Sequence, residues 1–200
     1  MPIFLRIYLP IFGVLYWLIC FYWRARAHRK QTGASPVVMD KRDTAHDYIW
    51  RMMFVTIALA ALPVIINTVL PDRMFVFVPL RILHRPLVQI PGVILSIVAL
   101  AICSTAQWQM GKNWRVGIDR DNKTDLVLLG LYRFSRNPIY LGMSLASLAY
   151  FMMLPSALTL LTLICGRLLM QIQVRLEEEY LRGLHGAAFE EYCGKVRRWI

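Results

Sequence analysis

The sequence lacks the motifs of several common enzyme classes. No G-x-G-x-x-G pattern opens a strand–helix unit, which excludes a Rossmann-type dinucleotide site. The four cysteines do not have the spacing of a metal knuckle or a redox motif, and the four histidines are scattered along the chain. Ser135 and Ser144 have no His and acidic partners in a recognisable hydrolase pattern. We therefore predict no metal site and no serine hydrolase.

Acidic residues are also scarce, with 12 Asp and Glu against 23 Lys and Arg, which gives a net charge of +11. Such a charge is typical of nucleic-acid-binding proteins, but those carry a basic stripe with interleaved aromatic residues. Here the basic residues lie mostly between apolar blocks, as the positive-inside rule predicts for a membrane protein. We predict no nucleic-acid partner.

Apolar residues are abundant, because 58% of the chain is hydrophobic and the mean hydropathy is +0.48. A helix that crosses the hydrocarbon core needs roughly 20 mainly apolar residues. Blocks of this kind span residues 2–23, 49–70 and 87–108, and the long block 138–174 divides into a hairpin near Pro155. The first block lacks the basic start and A-x-A site of a cleaved signal peptide. The chain is thus predicted to be an all-α polytopic membrane protein with about five transmembrane helices and an amphipathic tail.

The distribution of Lys and Arg predicts the orientation of these helices. The linker 24–47 and the polar stretch 109–137 are richer in Lys and Arg than the loop 71–86. The richer segments are expected in the cytoplasm, with the amino terminus outside and the carboxyl terminus inside.

Two polar segments flank the hairpin and are therefore expected to meet. In the first, Asn137 and Pro138 begin a helix whose free N–H groups could bind an anion such as a ligand carboxylate. Tyr132 and Tyr140 could contact an adenosine group through their rings or hydroxyls. The simpler alternative is a capped membrane helix with interfacial Tyr and Arg anchors.

The second segment begins with three consecutive glutamates, 177–179, directly after an apolar helix. Acidic residues at membrane depth are costly and indicate function when they face the protein interior. Glu177 lies one helical turn after Gln173, and its carboxylate could accept hydrogen bonds from ribose hydroxyls or an amino group. The alternative is a solvated acidic turn that begins the tail.

Four short patterns carry a family resemblance. They are Gly111-Lys-Asn-Trp114, then Leu126-Val127 leading to Gly130-Leu-Tyr132, then Arg136-Asn-Pro-Ile-Tyr140 with Gly142, and finally Glu177-Glu178, Leu181, Gly186, Tyr192 and Val196. In this order and spacing the chain resembles the isoprenylcysteine carboxyl methyltransferase and phospholipid methyltransferase superfamily of integral membrane enzymes. The resemblance covers residues 111–200, whereas the amino-terminal half matches only in having membrane helices.

The resemblance implies S-adenosylmethionine as methyl donor and a lipophilic acceptor that enters from the bilayer. It also implies two regions: a three-helix region 1–108 with its basic linker 24–47, and a catalytic region 109–200 with hairpin 138–174, open to the cytoplasm. The implied cofactor residues are Thr124, Asp125, Leu126, Val127, Tyr132, Asn137, Pro138, Ile139, Tyr140 and Glu177. The candidate catalytic or acceptor residues are Arg136, Gln173, Arg175, Glu178 and Arg167.

Two positions depart from the pattern. Asn137 stands where many relatives have His, and it cannot act as a general base. Gln173 stands where the carboxyl methyltransferases have an Arg that engages the acceptor carboxylate, and Gln carries no charge to pair with one. An amine, a thiol and a carboxylate therefore all stay open as acceptors. Arg167 either meets the acceptor head group or pairs inside the bundle.

Two other functions are also compatible with the sequence. Membrane sterol reductases have a similar carboxyl-terminal core and bind NADPH, although they carry many additional helices. The second alternative is a non-catalytic membrane scaffold or a small transporter subunit, which would bind no nucleotide-type ligand.

Overall fold

A computed structural model describes residues 3–33, 35, 44–116 and 125–200. Within these ranges the regular structure is helical, apart from one isolated bridge between Pro79 and Ser156. The α-helices are α1 (Ile3–Trp17), α2 (Arg24–Thr32), α3 (Ala45–Val69), α4 (Pro86–Met110), α5 (Pro138–Met153), α6 (Ala157–His185) and α7 (Ala187–Lys195). Short 3₁₀ helices occupy Pro71–Phe77, Arg81–Leu83, Gly111–Asn113 and Gly130–Arg133. The predicted all-α class is confirmed.

Among the described residues, four helical stretches are long and apolar enough to cross a membrane. They are Ile3–Thr32, Ala45–Val69, Pro86–Asn113 and Ala157–His185. The fifth apolar helix, α5, has 16 residues and is therefore about 24 Å long, somewhat less than the roughly 30 Å of a hydrocarbon core. The chain is an integral membrane protein whose apolar helices correspond to the five predicted blocks.

The first helix extends further than the sequence predicted. A π-helical turn, Leu18–Trp23, joins α1 directly to α2, so the helix continues through the basic residues that were predicted to begin a linker. Arg, Lys, Ala and Gln favour helix, and they dominate Arg24–Thr32. The helix ends at Gly33, whose φ of 72° is left-handed, as at many helix carboxyl termini. The remaining linker positions 34 and 36–43 lie outside the described residues.

The hairpin divides at the predicted proline, because Pro155 lies between α5 and α6. Ser156 caps α6: its Oγ accepts a hydrogen bond from the Thr159 N–H at 3.2 Å, and the Ser156 N–H donates to Thr159 Oγ1 at 2.9 Å. The segment after α3 closes over this turn, since the Leu80 N–H donates to the Pro155 carbonyl at 3.0 Å.

Small residues allow α4 and α5 to pack closely. A Cβ on Gly142 would lie 3.0 Å from the backbone nitrogen of Cys103, and a Cβ on Gly92 would lie 3.0 Å from Met152 Cβ. Close backbone approach at small residues is a common way for membrane helices to associate. This contact fixes α5, and with it the polar turn that precedes α5, against α4.

A buried cluster joins α3, α5 and α6 near the polar segments. It contains Ile49 and Trp50 of α3, Tyr140 of α5, and Met170 and Val174 of α6. Trp114 and Val116, from the segment after α4, complete it. The polar ends of α5 and α6 therefore lie on a packed apolar base that includes α3.

Candidate active site

A cleft lies where the polar turn before α5 meets the end of α6 and the start of α7. Its walls come from the end of α4, the segment 125–132, the first turn of α5, and helices α6 and α7. The lining residues are Met110, Asn113, Asp125, Leu126, Val127, Tyr132, Arg136, Asn137, Pro138, Ile139, Tyr140, Glu177, Glu178, Leu181, Phe189 and Tyr192. The two polar segments that flank the hairpin do meet, as predicted.

Gly130 and Tyr132 shape one wall of the cleft. Gly130 has a φ of 61°, a left-handed conformation in which a side chain would be strained, and a Cβ there would also press against the end of the Gln109 side chain. Gln109 Oε1 accepts a hydrogen bond from the Leu131 N–H at 2.8 Å, which ties this turn to α4. The Tyr132 ring is buried, and burial raises the pKa of its hydroxyl. The ring therefore carries a neutral hydroxyl.

Glu178 forms the centre of a buried polar clamp. Its Oε1 accepts hydrogen bonds from Arg136 Nε at 3.1 Å and from Asn137 Nδ2 at 2.9 Å. Its Oε2 accepts hydrogen bonds from Arg198, whose Nη2 lies 2.8 Å away. The Glu178 side chain is only 3% exposed. Two guanidinium groups thus neutralise this carboxylate, and the hydrogen bonds to Glu178 raise the pKa of Arg198.

The same clamp holds the carboxyl-terminal segment 196–200 across the start of α5. Arg136 donates through Nη1 to the Val196 carbonyl at 2.8 Å, and its backbone N–H donates to the Arg197 carbonyl at 3.0 Å. In addition, Tyr192 of α7 donates to the Tyr132 carbonyl at 2.7 Å. Burial raises the pKa of Tyr192 to about 12, so its hydroxyl is protonated at neutral pH and can donate. Helix α7, which contributes Phe189 and Tyr192 to the cleft lining, is therefore tied to the turn before α5.

Glu177 has different surroundings, although it is the next residue in the chain. Its Oε1 accepts hydrogen bonds from the Tyr140 hydroxyl at 2.5 Å and from Gln173 Nε2 at 2.8 Å. Both of these donors are uncharged. Glu177 also lines the cleft, so its carboxylate is available to a ligand there.

Gln173 connects this carboxylate to α3. The Gln173 side chain is fully buried, with a relative exposure of 0%. Its Nε2 lies 2.8 Å from His46 Nδ1, and its Oε1 has no hydrogen-bond partner among the residues that the structure describes. His46 was not predicted as a site residue, because a lone histidine at the start of an apolar helix has no distinguishing pattern.

The two remaining predicted arginines lie outside the cleft lining. Arg175 is exposed and bonds Gln171 on its own helix, with Nη1 2.7 Å from the Gln171 carbonyl, so it points away from the cleft. Arg167 donates through Nη1 to Ser144 Oγ at 3.1 Å. Its guanidinium lies over the Trp199 ring, 4.3 Å from the ring centroid. Trp199, like Arg198, was not predicted as a site residue.

The predicted cofactor residues lie together in space. All of those that the structure describes line the cleft, and they come from three separate segments. Thr124 lies outside the described residues. Of the predicted catalytic or acceptor residues, Arg136 and Glu178 line the cleft but are engaged in the clamp, and Gln173 lies behind Glu177. Their roles in binding or catalysis stay predictions.

Comparison with known proteins adds an independent result. A comparison with curated proteins finds no match. A model of the phospholipid methyltransferase family matches residues 87–188, which is just over half of the 200-residue chain. The matched region runs from α4 to the start of α7 and includes Glu177 and the first turn of α5, whereas His46 and the tail lie outside it. The chain belongs to the phospholipid methyltransferase family.

Proposed function

We propose that this protein transfers a methyl group from S-adenosylmethionine to a lipophilic acceptor at the membrane surface. The main supporting observation is Glu177, a carboxylate on the cleft whose two hydrogen-bond donors, Tyr140 and Gln173, are both neutral. The family match supports the same reaction class.

The cleft has a donor and acceptor set that fits S-adenosylmethionine. The cofactor carries an ammonium, two ribose hydroxyls, a carboxylate and a sulfonium. Glu177, which lines the cleft, can accept hydrogen bonds from the hydroxyls or the ammonium. Ile139 and Tyr140 lie in the first turn of α5, where backbone N–H groups are free to bind a carboxylate.

The sulfonium supplies an electrophilic methyl group, so the protein's contribution is alignment and the exclusion of water. Glu177 would fix the orientation of the bound cofactor, and its own position is set by Tyr140 and Gln173. The walls formed by Phe189 and Tyr192 of α7 would shield the reacting atoms from solvent, because both side chains are buried.

Arg167 is the candidate contact for the acceptor head group. It lies on α6 at an intermediate level of exposure. A guanidinium has five N–H donors, and Arg167 uses Nη1 to donate to Ser144 Oγ. Further donors can therefore bind an acidic head group. Arg167→Gln is expected to raise the KM for the lipid acceptor while the affinity for S-adenosylmethionine stays unchanged.

The proposed topology places the cleft at the cytoplasmic surface, where the cofactor is made. It rests on the excess of Lys and Arg in residues 24–47 and 109–137 over the loop 71–86. We also propose that residues 109–200 form the catalytic region. A membrane-impermeant thiol reagent tests the orientation in intact cells: it should label Arg73→Cys from outside but not Lys195→Cys. If the reagent labelled only Lys195→Cys, the orientation would be the opposite of the one proposed.

Cofactor binding is the first test of the function. Titration calorimetry on the detergent-purified full chain should detect S-adenosylmethionine, and excess NADPH should not displace it. A folded protein that binds no S-adenosylmethionine would overturn the proposal, and binding of NADPH alone would favour a reductase.

The acceptor can then be identified by its label. Membrane lipid extracts are incubated with the protein and tritiated-methyl S-adenosylmethionine, and the labelled product is separated and identified. The Glu177→Gln variant serves as the control and should give no labelled lipid above background.

A further inference from the structure

We propose that His46 is a positioning residue for the cofactor site, acting through Gln173 on the carboxylate of Glu177. The inference rests on the proposed function. His46 lies in the first turn of α3, far from the cleft residues in sequence and outside the region that matches the family. Its contact with Gln173 joins α3 to α6 across 127 positions of the chain.

The direction of these hydrogen bonds follows from Glu177. A carboxylate oxygen accepts hydrogen bonds, so the side-chain group of Gln173 that faces Glu177 Oε1 at 2.8 Å is the NH₂. The same nitrogen lies 2.8 Å from His46 Nδ1. Its two hydrogens therefore serve the two neighbours, one for Glu177 and one for His46.

His46 must then accept a hydrogen bond at Nδ1. An imidazole nitrogen accepts only when it carries no proton, so the ring is neutral with its proton on Nε2. Because both hydrogens of the Gln173 amide are engaged, the amide cannot rotate without losing a buried hydrogen bond. Gln173 Oε1 is thereby held in one direction, as the buried acceptor that lacks a partner within the described part of the chain.

Loss of His46 would release this constraint. Gln173 could then turn its oxygen toward Glu177, which would replace an attractive contact with a repulsive one. The Glu177 carboxylate would keep its hydrogen bond from Tyr140 but lose its fixed orientation. We expect cofactor affinity to be affected more than folding, because the clamp around Glu178 is formed by hydrogen bonds from Arg136, Asn137 and Arg198.

The test measures S-adenosylmethionine affinity by calorimetry and thermal unfolding by circular dichroism, on the full chain in detergent. His46→Ala should weaken binding about tenfold, as for loss of a buried hydrogen bond. His46→Asn should restore much of it, because Asn Oδ1 occupies the position of Nδ1 and also accepts. His84→Ala removes a histidine that bonds the Pro155 carbonyl at the hairpin turn, and affinity should not change.

A double-mutant cycle separates positioning from a general structural role. In a Gln173→Leu background, His46→Ala should cause no further loss of affinity, because the connection is already broken. Additive losses, no rescue by Asn, or unchanged affinity in His46→Ala would each overturn the role of His46 while leaving the proposed function intact. Absence of binding by the folded wild-type protein would overturn both.

Discussion

Glu177 and Glu178 are consecutive residues on α6, yet their surroundings differ in the property that decides what a carboxylate does. Glu178 is bound by two arginines and an asparagine, and its negative charge is neutralised inside the protein. Glu177 accepts its hydrogen bonds from a tyrosine and a glutamine, which are both neutral. We propose that the first arrangement stabilises the fold and that the second orients a carboxylate for a ligand.

Helix geometry allows this division, because consecutive residues on an α-helix point about 100° apart. Glu178 faces the turn before α5 and the carboxyl-terminal tail, whereas Glu177 faces Tyr140 and, through Gln173, α3. A pair of adjacent glutamates can therefore serve two elements at once. Substitutions of each glutamate and of its hydrogen-bond partners can separate the two roles.

Removal of the clamp should have the largest effect. In Glu178→Ala, two arginines lose a buried partner, which typically costs on the order of 3 kcal/mol of unfolding free energy. The tail and the turn before α5 should loosen together, and the Tm in detergent should fall by about 6–12 °C. Thermal unfolding followed by circular dichroism measures this change. Glu179→Ala removes the same charge at an exposed position and should leave the Tm unchanged. An equal decrease in Tm in both variants would contradict a stabilising role for the clamp around Glu178.

Neutralisation of Glu177 should affect the ligand instead. Hydrogen bonds to a charged group contribute about 1.5–3 kcal/mol, so Glu177→Gln should weaken S-adenosylmethionine binding by roughly 10- to 100-fold. The Tm should change little, since Gln keeps the size of the side chain and both hydrogen-bond donors to Glu177 are neutral. Calorimetry gives the affinity, and Glu179→Gln is the matched control. If Glu177→Gln bound S-adenosylmethionine with normal affinity but had a lower Tm, Glu177 would stabilise the fold and not bind the ligand.

The sequence predicted the helices well because apolar blocks of about membrane length leave few alternatives. Pro155 marked the hairpin turn. The helical stretch that begins at Ile3 runs beyond the predicted block, which ended at Trp23. Arg and Lys are polar, but they also have a high helix propensity. The helix therefore continues beyond the apolar block as α2.

The candidate site was predictable only where its residues lie within short ordered patterns. Asn137 to Tyr140 and Glu177 belong to such patterns, and they do line one cleft. His46, Arg198 and Trp199 have no local signal, because their contacts depend on how α3 and the tail pack against α6. The separate roles of Glu177 and Glu178 were not predictable either, since the identity of their partners is a property of the folded chain.

Tyr140 provides a smaller and more local test of the Glu177 side. Tyr140→Phe keeps the ring and removes the hydroxyl that donates to Glu177 at 2.5 Å. We expect a loss of about 1 kcal/mol, which is roughly a fivefold weaker affinity for S-adenosylmethionine in calorimetry. Tyr150→Phe removes a hydroxyl that bonds the Ala60 carbonyl elsewhere in the bundle. It should leave the affinity unchanged, and equal losses in both variants would argue against a specific role for Tyr140.

Substitution of Arg198 should have the smallest effect. It tests how much each of the two arginines that bind Glu178 contributes to the unfolding free energy. The Arg198 side chain is 34% exposed, whereas that of Arg136 is 12% exposed. Water and salt screen the more exposed pair, so Arg198→Gln should cost less than about 1 kcal/mol of unfolding free energy. Arg136→Gln should cost more unfolding free energy, because it also removes the donors to the Val196 and Cys193 carbonyls.

Thermal unfolding of both variants at low and high salt measures these costs. The decrease in Tm of Arg198→Gln relative to wild type should be smaller in high salt. If Arg198→Gln proved the more damaging of the two, the tail rather than the turn before α5 would be the main partner of Glu178.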